Sequence, residues 1–103
     1  MRTTSYGIAD AMIASKELKA PLVIIKRIDD GGKVTYAGFV PGFVANDIID
    51  ENIETVKTKL EKFAKERIVD MLNNKKPFPF FPTKEEILND FENVEYVKFL
   101  KLK

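Results

Sequence analysis

Sixteen acidic residues and no histidine or cysteine bound the chemistry open to this 103-residue chain. Without imidazole there is no serine or cysteine triad with a histidine base and no imidazole-containing zinc site. Without thiols there is no disulfide framework and no thiolate metal site. Carboxylates remain, in two clusters. Asp29 and Asp30 stand beside Gly31 and Gly32 in "DDGGK", where a hairpin turn needs residues that tolerate positive φ and hydrogen-bond their own backbone. Asp47, Asp50 and Glu51 have the composition of a divalent-cation site, but they also precede a helix, where negative charge suits the N-terminal dipole. The helix start is the reading adopted for them, and no metal or cofactor is expected. Phosphate-cradling loops are missing too, because "DDGGK" has neither of the glycine spacings they require. No catalytic residue is assigned, and the chain is read as a non-enzyme.

The remaining basic residues do not point to nucleic acid. Seventeen Lys and Arg nearly balance the acids, so global charge attracts neither a polyanion nor a membrane surface. The local run at residues 57–65 is interrupted by acids and reads as a solvated helix face. A hydrophobic fraction of 45% with 32% charged residues fits a single folded domain. No apolar run approaches the roughly 20 residues of a membrane span. The opening "MRTTSYGIADAMIA" lacks the apolar stretch of a secretory signal. A cytoplasmic, cysteine-free protein is the expectation.

Several elements must position these groups. Tyr6 to Lys19 has roughly helical spacing, with Ile8, Met12 and Leu18 toward a core, and Pro21 stops it. "LVIIKRI" (Leu22 to Ile28) has the branched residues of a buried strand. "KVTYAGF" (Lys33 to Phe39) returns as its hairpin partner. Pro41 and Gly42 interrupt the apolar run that follows: proline lacks a ladder donor and glycine permits positive φ, so a turn or bulge is expected, with a third strand from about Phe43 to Asn46. From Ile53 to Leu72, apolar residues recur at three- and four-residue intervals between charged ones, the pattern of an amphipathic helix. Asn52 is its expected N-cap, with Asp50 the alternative, and Asn73-Asn74 before Pro77 its expected end.

Beyond the helix, "KKPFPFFPT" interleaves prolines with Phe78, Phe80 and Phe81. Such a stretch is extended, and its rings need burial against the core or against another chain. Thr83 and Glu86 form a T-x-x-E capping box for a short helix over Lys84 to Phe91. The closing "VEYVKFLKLK" reads as a strand with Val94, Tyr96, Leu100 and Leu102 on one face and Val97 and Phe99 on the other. Apolar residues on both faces predict either a central place in the sheet or burial at an oligomer contact. The order predicts an α+β two-layer sandwich, with an antiparallel β-β-β-α-β core and an extra N-terminal helix.

The stretches "PLVIIKRIDDGGKVTYAGFVPGFVAND", "ENIETVKTKLEKFAKERIVDML", "KKPFPFFP" and "VEYVKFLKL" follow the layout of the HicB-like antitoxin family, which this chain resembles over residues 21–103. Residues 1–20 form a helical extension without a counterpart there. The sequence departs from the pattern in three places. Phe39-Val40 stand where the family has an aspartate before the Pro-Gly step, the long helix has about one extra turn, and the helix at Lys84 to Phe91 is an insertion. Many members also carry a C-terminal helix-turn-helix or ribbon-helix-helix that binds operator DNA. This chain ends at its last strand, so operator binding by it alone is not expected. The resemblance implies a partial ribonuclease H-like fold without nuclease activity. It also implies a module that neutralises a small RNA-cleaving toxin by covering its active surface, and self-association as a dimer or tetramer. The alternative is a stand-alone oligomeric domain of the same fold with a structural or regulatory role. Phe78, Phe80, Phe81, Tyr96, Val97 and Phe99 are the expected protein contacts, with Pro41 and Gly42 as the structural turn.

Overall fold

A computed structural model describes residues 19–101. It is an α+β arrangement, a four-stranded antiparallel sheet with two helices: β1 (Lys19–Ile28), β2 (Val34–Phe39), β3 (Ile48–Asp50), α1 (Ile53–Asn73), α2 (Lys84–Asp90) and β4 (Val94–Lys101), in the sheet order β3-β2-β1-β4. The helix expected over Tyr6 to Lys19 lies outside the described residues except at Lys19, which opens a strand instead. No helix among the described residues is long and apolar enough to cross a membrane.

Pro21, expected to end a helix, sits inside β1 opposite Phe99 of β4. It is tolerated because it lies upstream of Val23, the first residue of β1 that pairs with β2. A residue without an N–H costs least where one flank has no strand. The β1–β2 hairpin closes as its composition requires. The Asp29 carboxylate accepts from the N–H groups of Gly31 and Lys33 at 2.9 and 2.8 Å, and the Gly32 N–H donates to the Asp29 carbonyl at 2.9 Å.

The third strand is not at Phe43 to Asn46 but at Ile48–Asp50. Pro41 and Gly42 are the central residues of a tight turn in which the Phe43 N–H donates to the Val40 carbonyl at 3.0 Å. Gly42 has φ +102°. Proline followed by positive-φ glycine is the type II arrangement. The turn sends the half-buried Phe43 ring against the core, where it meets Phe63 and Phe81 edge-on at 6.3 and 5.7 Å between centroids. The chain regains the sheet only where Ile48 pairs with Gly38.

α1 begins where its N-cap predicts. The Asn52 side chain accepts from Glu54 N and Thr55 N at 2.8 and 3.3 Å, relieving two of the first-turn donors. Val56, Leu60, Ala64 and Ile68 recur at four-residue intervals and are buried against Ala20, Leu22 and Ile24 of β1. The helix ends in a Schellman motif: Lys76 N donates to Met71 O at 2.9 Å and Lys75 N to Leu72 O at 3.3 Å. Lys75 takes the left-handed conformation, φ 54°, that glycine adopts at less cost.

β4 runs antiparallel to β1, and this dictates the path between. β3 and β1 run the same way, since each is antiparallel to β2. A strand returning directly from α1 would therefore lie parallel to β1. Residues 74–93 instead carry the chain around one end of the sheet and back along its other face. Phe78 and Phe81 still pack on the α1-side core, whereas Phe91, just past α2, meets Phe39 at 5.0 Å. Phe39 pairs with Val23 and faces away from α1, since its neighbour Gly38 lies beneath Val56 and Leu60. α2 is started by the expected capping box, Glu86 N to Thr83 Oγ1 and Thr83 N to Glu86 Oε1. Its Ile87 is fully buried. The two-layer expectation therefore gains a short helix on the far face.

Two substitutions test this packing. A Cβ at Gly38 would lie 2.6 Å from Val56 Cγ1 and 3.1 Å from Leu60 Cδ2, so Gly38→Ala is expected to lower unfolding free energy by about 1–3 kcal/mol in urea titrations. Lys75→Gly is expected to raise it by about 1 kcal/mol by the same measurement, because the left-handed residue then carries no Cβ penalty.

Candidate protein-binding surface

Four of the five acidic groups singled out by the sequence have a local partner. Asp29 closes the hairpin, Asp47 pairs with Arg27 at 3.1 Å, Asp50 accepts from Asn52 N at 2.8 Å and Glu51 pairs with Lys33 at 2.9 Å. Asp50 therefore supports the N-cap residue and does not replace it. Among the described residues no group of three or more His, Cys, Asp or Glu side chains is placed to hold a metal. The basic face of α1 is likewise interleaved with acids. Lys57 pairs with Glu54 at 3.2 Å, and Glu61 receives both Lys65 of its own helix, at 3.2 Å, and Lys98 of β4, at 3.6 Å. These two lysines hold the Glu61 carboxyl below its ordinary pKa, the Lys65 hydrogen bond contributing most and the Lys98 charge next. Lys33 is raised by its hydrogen bond and charge interaction with Glu51. These groups lie at the surface, exposed or half-exposed, so the pairs order side chains more than they stabilise the fold.

The six expected contact residues are not brought to one patch. Phe78 and Phe81 are half-buried against the core, and Phe81 stacks edge-on with Phe43. The prolines between them hold the backbone extended while it rounds the sheet, and a Cβ on Gly42 would already approach Pro79 Cγ to 3.1 Å. Phe80, one position out of phase, is 89% exposed. In an extended run neighbouring side chains point to opposite sides, so burying Phe81 turns Phe80 outward.

Tyr96, Val97 and Phe99 lie on β4, where the central position foreseen as one explanation of its two apolar faces does not hold. Among the described residues β4 is an edge strand, with β1 as its one neighbour in the sheet. Tyr96 faces α1 and carries Lys57 Nζ 4.6 Å from its ring centroid. Val97 and Phe99 face the other way, opposite Val23 and Pro21, and all three side chains are half-buried. The two edges of the sheet are unequal, since β3 has 3 residues and β4 has 8. A three-residue edge offers little backbone for another strand, whereas an eight-residue one is a full template.

The sequence reading missed a concavity on the face away from α1. It is an open groove of about 360 Å³ whose lining includes Ile25, Phe39, Pro41 and Phe91, with the Arg27–Asp47 pair at its rim. Alternation along β1 and β2 put Ile25 and Phe39 on one face, but nothing local revealed that Phe91 would come across the sheet to meet them.

Two alanine variants separate surface from core. Phe80→Ala should change unfolding free energy by no more than about 0.5 kcal/mol, while Phe81→Ala should cost about 3 kcal/mol, both read by chemical denaturation followed by circular dichroism. Comparison of the chain with models of known protein families, with curated proteins and with solved structures finds no match in any of the three.

Proposed function

We propose that this chain is a protein-binding module that acts without catalysis, as the HicB-like antitoxins it resembles do, and that it neutralises a small RNA-cleaving toxin by covering the toxin's active surface. The observation that carries the reading is β4, among the described residues an eight-residue edge strand with apolar side chains on both faces. Such an edge gives a partner main-chain hydrogen bonds together with side-chain pockets. The β-β-β-α order from Lys19 to Asn73, with the Pro41-Gly42 turn before the third strand, agrees with the layout of that family. In this reading the fold is the partial ribonuclease H-like one, and the module works in the cytoplasm. Lack of histidine and cysteine, together with the structural employment of the carboxylates, is in keeping with a non-enzyme.

A second reading, a stand-alone oligomeric domain with a structural or regulatory role, draws on Val40. It belongs to the Phe39-Val40 pair that stands where the family has an aspartate before the Pro-Gly step, and it is buried at 3% exposure in the α1-side core. A site used for a polar group in the family is used here for packing.

Co-expression with the product of a neighbouring small toxin gene decides between them. The toxin reading expects a complex that co-purifies and no longer cleaves RNA. Absence of such a gene, or a pair that separates on purification with cleavage intact, leaves the second reading.

A further inference from the structure

We infer that the groove on the face away from α1 is a binding site for a free apolar α-amino acid, whose side chain lies on Phe39 and Phe91 and whose charged head group meets the Arg27–Asp47 pair. Its capacity of about 360 Å³ falls within the range of small-molecule sites, roughly 300–1,000 Å³. Its apolar lining comes from separate parts of the chain. Pairing of β1 with β2 brings Ile25 and Phe39 to one face, Phe91 arrives from beyond α2 to stand 5.0 Å from Phe39, and Pro41 adds a rigid wall where the type II turn leaves the sheet. All four side chains are half-buried, so apolar surface is left for a ligand to cover. The two rings offer faces and edges that suit an aliphatic or aromatic side chain.

The charges at the rim select the head group. Arg27 Nη2 lies 3.1 Å from Asp47 Oδ2, and the two side chains are 49% and 33% exposed. A guanidinium has five N–H donors and a carboxylate two acceptor oxygens. Among the described residues these two side chains make one hydrogen bond, to each other, so both have capacity to spare. A lone carboxylate set against Arg27 would also stand beside Asp47, and a lone ammonium set against Asp47 would stand beside Arg27. In each case the neighbouring like charge offsets the attraction. An α-amino acid carries both charges on one carbon and lies antiparallel to the pair, each of its charges beside the opposite one. A residue inside a peptide has neither charge, and the two peptide termini have one each. The rim is therefore complementary to a zwitterion and selects against single charges. Solvent keeps each ionic contact weak, so recognition needs the head group and the side chain together.

This site lies apart from β4, where the toxin reading places its partner, so failure of one leaves the other standing. Titration of the isotope-labelled full chain with L-phenylalanine or L-leucine, followed by amide correlation NMR, is expected to give saturable shifts at Ile25, Arg27, Phe39 and Phe91, with a dissociation constant of about 1 mM or below. Phenylpropionate, which lacks the ammonium, and phenethylamine, which lacks the carboxylate, are each expected to bind at least about fivefold more weakly than L-phenylalanine. Arg27→Gln and Asp47→Asn are each expected to weaken L-phenylalanine at least about fivefold. Asp47→Asn is also expected to bind phenylpropionate more tightly than the parent does, because the carboxylate that opposed it is gone. Both side chains lie at the surface, dispersed spectra report that the variants fold, and the comparison of probes on the parent chain needs no variant. Absence of a saturable shift with either amino acid up to about 20 mM, equal binding of the three phenyl probes, or shifts confined to residues outside the groove overturns the proposal.

Discussion

The distance between α1 and the sheet is set at Gly38. Val56 and Leu60 descend onto β2 where that residue has no side chain, and this close approach lets Ala64 and Ile68 reach Ala20 and Leu22 farther along β1. A larger residue at position 38 would lift the helix, and the buried stripe of α1 would lose contact with β1 over its whole length. Interiors packed to crystal-like density do not absorb such a lift locally. The N-cap at Asn52, the Pro41-Gly42 turn and the placement of β3 all serve to deliver α1 over that one gap.

A second constraint follows from strand direction. Because β4 runs opposite to β1, the chain must travel back along the sheet after α1. It does so through a proline-stiffened stretch and a seven-residue helix. The phenylalanines of that stretch act as fasteners: Phe78 and Phe81 hold the crossing to the core it is leaving, and Phe91 secures its arrival against Phe39. The composition that looked like an interaction motif is first a means of routing the backbone.

Local chemistry explains which parts of this arrangement were legible in the sequence. Turn residues, the Asn52 cap, the Thr83–Glu86 box and the period of α1 are encoded within a few positions, and each was readable. β3 was misplaced because Phe43 is apolar for a reason outside its own segment, the aromatic contacts with Phe63 and Phe81. Pro21 was misread for a similar reason, since its tolerance depends on where β2 ends. For the candidate contacts, composition singled out aromatic and apolar residues. Whether each faces core, far side or solvent depends on strand order and backbone phase, as Phe80 and Phe81 show by their opposite fates.

Strand order has a kinetic consequence. β1 to α1 is contiguous in sequence and closes by short connections, whereas the ladder between β1 and β4 joins Lys19 to Lys101, the two ends of the described chain. Closing so long a loop is slow relative to hairpin and helix formation. The β-β-β-α unit therefore assembles with one side of β1 bare until the last strand arrives. During that interval Val23 and Ile24, completely buried in the finished molecule, belong to an open edge. The strand best protected in the native state is thus the most vulnerable to misassembly before it is reached.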